Sequence, residues 1–234
     1  MKSLPKMTLS AFALTLCHTA GAAELDVRVQ NLTQGMYFTP LLVAAHDSNS
    51  ELFRVATAAS SELQAMAEGG AIDGLVNQVE VAGGDVLANP AQGLLAPGHS
   101  GEGTLTTGES NTYLSLVAMM LPTNDGFVGL SNWPVPSEPG TYHVYLNAYD
   151  AGTEANDEIR GGGAPGVPGM PVPPPLEELI GSGGSGVTNE LNNTLVHIHP
   201  GNLGDDSASA GKSDINNSVQ RWLNPVAKLT ITVQ

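Results

Sequence analysis

Residues 112–121, TYLSLVAMML, are almost unbroken in apolar side chains and end at Pro122. Periodicity alone leaves such a run open to strand or helix, but the Gly- and Pro-rich turns around it favour a strand buried on both faces. Shorter segments with strict two-residue alternation join it. Residues 24–30 put Leu25, Val27 and Val29 on one face, and residues 141–149 put Tyr142, Val144, Leu146 and Ala148 on one face. Residues 37–45 form a further strand, bent or at an edge because Pro40 cannot donate to a ladder, with a hairpin expected around Gln34 and Gly35. Residues 194–199 and 226–233 complete the set.

One segment has a different period. Across residues 49–68, Phe53, Ala56, Ala59, Leu63, Met66 and Ala67 recur at three- and four-residue steps, Asn49 or Ser50 can cap the start, and Gly69 and Gly70 can end it. One amphipathic helix is expected there. Residues 161–186, rich in Gly, Pro and Ser, read as a long surface loop within one domain. Short strands, turn clusters and a single helix predict a mainly β chain built as an antiparallel β-sandwich.

The first 23 residues have the order of a secretory signal peptide: Lys2 and Lys6, an apolar run to Leu16, then small residues, with cleavage expected after Ala22 or Ala23. The run is too short to span a bilayer, and no later run replaces it. The only cysteine, Cys17, lies in that leader, so residues 24–234 must fold as one domain without disulfides or thiol chemistry. Export without a disulfide framework points to a bacterial secreted or periplasmic protein. Lys and Arg number 8 against 23 Asp and Glu, a formal charge of -15 that disfavours nucleic acid and anionic membranes as partners. Loss of the leader takes the charge to about -17.

The sequence carries no Gly-x-Ser-x-Gly elbow, Walker A loop, dinucleotide fingerprint, HExxH or EF-hand spacing. Two constellations are left. Asp125 follows the apolar run, while Asp150 and Glu154, in AYDAGTEANDE, follow another strand, so a sandwich can bring them to one rim. Three carboxylates suit a calcium ion, which takes six to eight oxygen ligands, and Gly152 allows a tight turn between the two acids. A solvated acidic loop is the plain alternative. His197 and His199 share a strand face and suit a transition metal if His46, His99 or His143 supplies a third ligand; two surface histidines are the plain alternative. NLT at Asn31 matches a glycosylation sequon and is read as a chance match.

LSLVAMMLPTNDGFVGL and AYDAGTEANDE together resemble the spondin N-terminal domain family, named for the extracellular-matrix proteins F-spondin and mindin. NLTQGMYFTPLLVAAHD, LFRVATAASSELQAMAEGG, HIHPGNLG and WLNPVAKLTITV resemble its bacterial branch. The resemblance implies a C2-like β-sandwich with bound Ca2+, and the family's acidic positions fall on Asp125, Asp150 and Glu154. The third departs from the animal pattern, with Glu in place of Asp. Neither Glu102 nor Glu109 aligns with the family's upstream ligand. The expected function is a calcium-binding recognition or adhesion-type module without catalysis, meeting an unidentified protein or glycan partner at the cell surface. The competing expectations are a transition-metal enzyme built on His197 and His199, and a structural cell-envelope protein with no metal.

Overall fold

The computed structural model describes residues 22–234. The expected leader, Cys17 included, lies outside the described residues apart from Ala22 and Ala23. The elements run β1 (Glu24–Asn31), β2 (Tyr37–Phe38), β3 (Leu42–His46), α1 (Ser61–Gly69), α2 (Asp73–Val81), β4 (Asp85–Ala88) and β5 (Ser100–Thr106). Then follow β6 (Tyr113–Leu121), β7 (Gly126–Pro134), β8 (Gly140–Asp150), β9 (His197–Ile198) and β10 (Ala227–Val233). The chain is mainly β, and every paired strand is antiparallel.

The sheet order is β4-β3-β6-β7-β8-β10-β1-β5, with β2 pairing β6 and β9 pairing β8. Its end strands meet: a Cβ on Gly103 of β5 would lie 2.9 Å from the Leu87 side chain of β4, so the sheet is nearly closed. Glycine is what lets the two edges come this close.

The apolar run 112–121 is a strand, and its alternation shows why every residue in it is apolar or small. Leu114, Leu116, Ala118 and Met120 join β1, β10 and β8 in the core enclosed by the sheet. Val117, Met119 and Leu121 point the other way, into a second core that Leu63, Met66, Leu75 and Val79 of the two helices cover. A strand feeding two cores has no face left for water.

The helix expected over 49–68 starts later. Ser60 is the N-cap, its hydroxyl accepting from Leu63 N–H at 3.1 Å, and Gly70 closes the helix in the left-handed region at φ 72°. Upstream, Leu52 and Phe53 are buried in irregular backbone, and Ala56 has φ 64°, which an α-helix cannot contain. Of the spaced residues there only Phe53 is buried; Ala56 is exposed and Ala59 half-buried, so the spacing marks neither a helix nor a buried face. A second helix, α2, went unread because Gly74 and three valines lower its propensity, although it buries Leu75 and Val79.

Residues 37–45 form two strands, β2 and β3, separated around Pro40. No hairpin joins β1 to β2; β1 lies between β10 and β5, and β2 pairs with β6. The bend between them is held by Asn31, whose buried amide donates to Met36 O at 2.7 Å and Leu95 O at 3.1 Å. That engagement leaves the sequon asparagine no free amide for a glycan. The Gly/Pro-rich stretch 161–186 is pinned, not free: Leu176 and Ile180 are buried in the second core, and Gly161 N–H donates to Met170 O.

Phe127 anchors the second core, edge-on to Phe53 at 5.0 Å between ring centres and stacked on Tyr149 at 5.6 Å. Phe127→Ala is expected to cost about 3–5 kcal/mol in urea unfolding, with two-state behaviour retained. A loss below about 1 kcal/mol would mean that the second core is not packed as described.

Candidate functional site

The register of three strands assembles the site. Gly126 of β7 pairs with Asp150 of β8, and Asp150 pairs with His197 of β9, so Asp125, Asp150 and His197 arrive at one rim of the sheet. Asp125 is fully buried and Asp150 is 1% exposed. Gly152, at φ 69°, turns the chain at once; a Cβ there would sit 2.7 Å from the Leu195 backbone nitrogen. The turn brings the next two amides back onto Asp125, whose Oδ2 accepts from Thr153 N–H at 2.8 Å and Glu154 N–H at 3.1 Å. Asp150 accepts from Gly152 N–H at 2.8 Å and from the Asn156 amide at 2.6 Å.

Glu154 divides between two neighbourhoods. Its backbone caps Asp125, but its carboxylate accepts from the Asn124 amide at 2.9 Å and from Gly169 N–H. Asn124 also donates to Asp157 at 2.8 Å and accepts from Glu158 N–H at 3.1 Å. The structure therefore brings Asp125 and Asp150 together and turns the Glu154 side chain toward Asn124. Among the described residues, no three His, Cys, Asp or Glu side chains stand within common reach of one ion.

The electrostatics of the corner are those of two buried acids with His197 and His199 at the same rim. Burial, then the Asp150 charge, pushes the Asp125 carboxyl up to about 7 against the hydrogen bonds from Thr153 and Glu154. Burial also raises Glu154, with Glu68 and Asp157 adding to it. Asp125 Oδ1 is buried with no hydrogen-bond partner among the described residues. An unpartnered anionic oxygen in the interior is costly, and a hard cation offers it charge and a ligand bond. The carboxylate oxygens of Asp125 and Asp150 are donors of the kind calcium takes. Asp125 and Asp150 would hold the ion; the Glu154 carboxylate is engaged by Asn124 and Gly169.

The histidine pair presents different chemistry. His199 is 3% exposed and packs 5.0 Å from Trp222 between ring centres. Gly201 N–H donates to its Nδ1 at 3.0 Å, so in this orientation the neutral ring carries its proton on Nε2 and offers no lone pair there. His197 donates from Nδ1 to Leu195 O at 2.8 Å, and that nitrogen lies 3.7 Å from Asp150 Oδ1. The two rings share the rim but do not present two lone pairs to one metal.

Sequence reasoning missed Asn124 and Glu158. Glu158 is 4% exposed, not a solvated loop acid: it accepts from Leu203 N–H at 2.5 Å, Gly204 N–H at 2.8 Å and the Ser213 hydroxyl at 2.6 Å. No local spacing signals these partners, which lie 45 to 55 residues away.

Two opposed pH dependences follow in chelator. Between 3.8 and about 7 the folded chain keeps a proton on Asp125 that the unfolded chain has lost, so this group makes stability fall as pH rises. His199, pushed by burial from 6.5 down to about 4, makes stability rise with pH across that range, because the unfolded chain binds the extra proton. Asp125→Asn should leave the rising slope and His199→Asn the falling one, read as urea midpoints at several pH values. Parallel slopes in the two variants would contradict both assignments.

Residues 30–161 match the family model Spondin_N, a span that covers more than half of the chain and contains Asp125, Asp150 and Glu154. No curated protein matches the chain. A match over that span leads to one conclusion: the chain belongs to the spondin N-terminal domain family.

Proposed function

We propose that the protein is an extracellular or periplasmic recognition module of the adhesion type, calcium-stabilised and without catalytic activity. Its nearly closed sheet is read as the C2-like sandwich of its family, with the ion at one rim. Calcium is held by Asp125 and Asp150, with Glu154 completing the set, and it fixes the loop 151–158 for contact with a protein or glycan partner. The observation that carries this reading is the buried, unpartnered Oδ1 of Asp125 beside the buried Asp150. Support for the location comes from family membership and from the leader-like first 23 residues. Among the described residues no helix is long and apolar enough to cross a membrane.

Thermal unfolding in calcium and in excess chelator tests the reading. At a free calcium concentration about a hundredfold above Kd, the ion adds about 2.7 kcal/mol, which raises Tm by about 5–10 °C in a domain of this size. Asp150→Asn should abolish the shift. An unchanged Tm in calcium, or an equal shift in Asp150→Asn, would remove the ion from this corner.

A further inference from the structure

Next to the acid corner lies a cavity of about 340 Å3, within the size range of small-ligand sites. Burial gives it depth. Asp150, at 1% exposed, and the half-buried Glu154 lie at its inner end, whereas Leu191 at 41% and Leu203 at 60% exposed stand at its mouth with Glu190. Val187 lines the apolar wall, and none of the lining residues is Lys or Arg.

The inner acids have capacity to spare. An ionised carboxylate accepts at about four lone-pair positions. Asp150 uses one hydrogen bond on each oxygen, and Glu154 uses only Oε1, for Asn124 and Gly169. The free acceptor is therefore Glu154 Oε2; Asp150 stands behind it with His197 Nδ1 at 3.7 Å from its Oδ1, and among the described residues no lysine or arginine pairs with either acid. A primary ammonium brings three donors and a compact positive charge on a flexible apolar stem. The charge matches the inner end of the cavity and the stem matches Val187, Leu191 and Leu203. A carboxylate ligand would meet like charge, and an uncharged alkyl chain would leave the inner acids unpaired.

We propose that this cavity binds an aliphatic primary ammonium group, its nitrogen on Glu154 with the Asp150 charge behind it and its carbon chain along Val187, Leu191 and Leu203. The inference does not rest on the calcium reading, and because both ligands draw on Asp150 and Glu154 they compete.

The experiment is an NMR titration of the chelated protein with pentylamine, pentanol and pentanoate at an ionic strength that suppresses diffuse attraction to an acidic surface. Pentylamine should saturate, with shifts centred on the amides of Val187, His197 and Leu203, and bind at least about tenfold more tightly than pentanol; pentanoate should not bind. Glu154→Gln should remove the preference for the amine. Leu191→Ser with Leu203→Ser, both at exposed positions, should weaken it about tenfold. A blocked Gly-Lys-Gly peptide separates two sources of the same group. If it binds as pentylamine does, the ligand is a lysine side chain of a partner; if only pentylamine binds, the ligand is a free amine.

Equal binding of pentylamine and pentanol, or amine binding untouched by these variants, would overturn the proposal. A calcium Tm shift without amine binding would sink this inference alone. Amine binding without a calcium shift would sink only the calcium reading.

Discussion

A carboxylate that accepts backbone N–H groups serves in this chain where a disulfide or an ion pair serves in others. The sequence has 23 acids and 8 bases, so most acids cannot find a cation of their own. They hold loops instead. Glu158 ties residue 158 to Leu203, Gly204 and Ser213; Asp214 accepts from Arg160 N–H and Gly184 N–H; Asp205 gathers the amides of Ser207, Lys212 and Ser213. Hydrogen bonds to an ionised acceptor are roughly twice as strong as neutral ones. The Gly- and Pro-rich second half can thus stay irregular and still be fixed, because its backbone donors end on charged oxygens.

This explains how the fold was legible in parts. Faces were readable wherever one side chain in two had to be dry: β1 and β10 put Leu25, Val27 and Val29 beside Leu229, Ile231 and Val233, as their alternation required. Partners were not readable. β1 pairs with a strand some two hundred residues later, and a period of two assigns a face without naming a neighbour. Residues 53, 56 and 59 misled for a related reason: three apolar residues at helical spacing carry no information on whether they share a face, and only Phe53 of the three is buried. The strands β4, β5 and β7 carry glycines or little alternation, and their place comes from the closure of the sheet, which no short window contains.

The site divides along the same line. Asp125 and Asp150 were legible because strand ends in an antiparallel sheet share a rim, and the observed register of Gly126 with Asp150 is that geometry. The direction of the Glu154 carboxylate was not. It depends on Gly169 in a distant loop and on Asn124, whose amide holds Glu154 and Asp157 at the same time. Likewise, equal spacing of His197 and His199 predicted a shared face but not their proton positions, which Leu195 O and Gly201 N–H set differently.

Against this background Asp125 is the exception. It is the only acid among the described residues with a buried oxygen left without a partner. A proton and a cation both relieve its charge, but with different results for the loop. Protonation makes the carboxyl neutral and weakens the bonds from Thr153 and Glu154 to Oδ2. A cation at Oδ1 leaves the group ionised, so those two amides keep a charged acceptor. The loop they begin carries Asn156 and Glu158, which line the adjoining cavity. Whatever neutralises Asp125 therefore also sets how firmly the wall of that cavity is held.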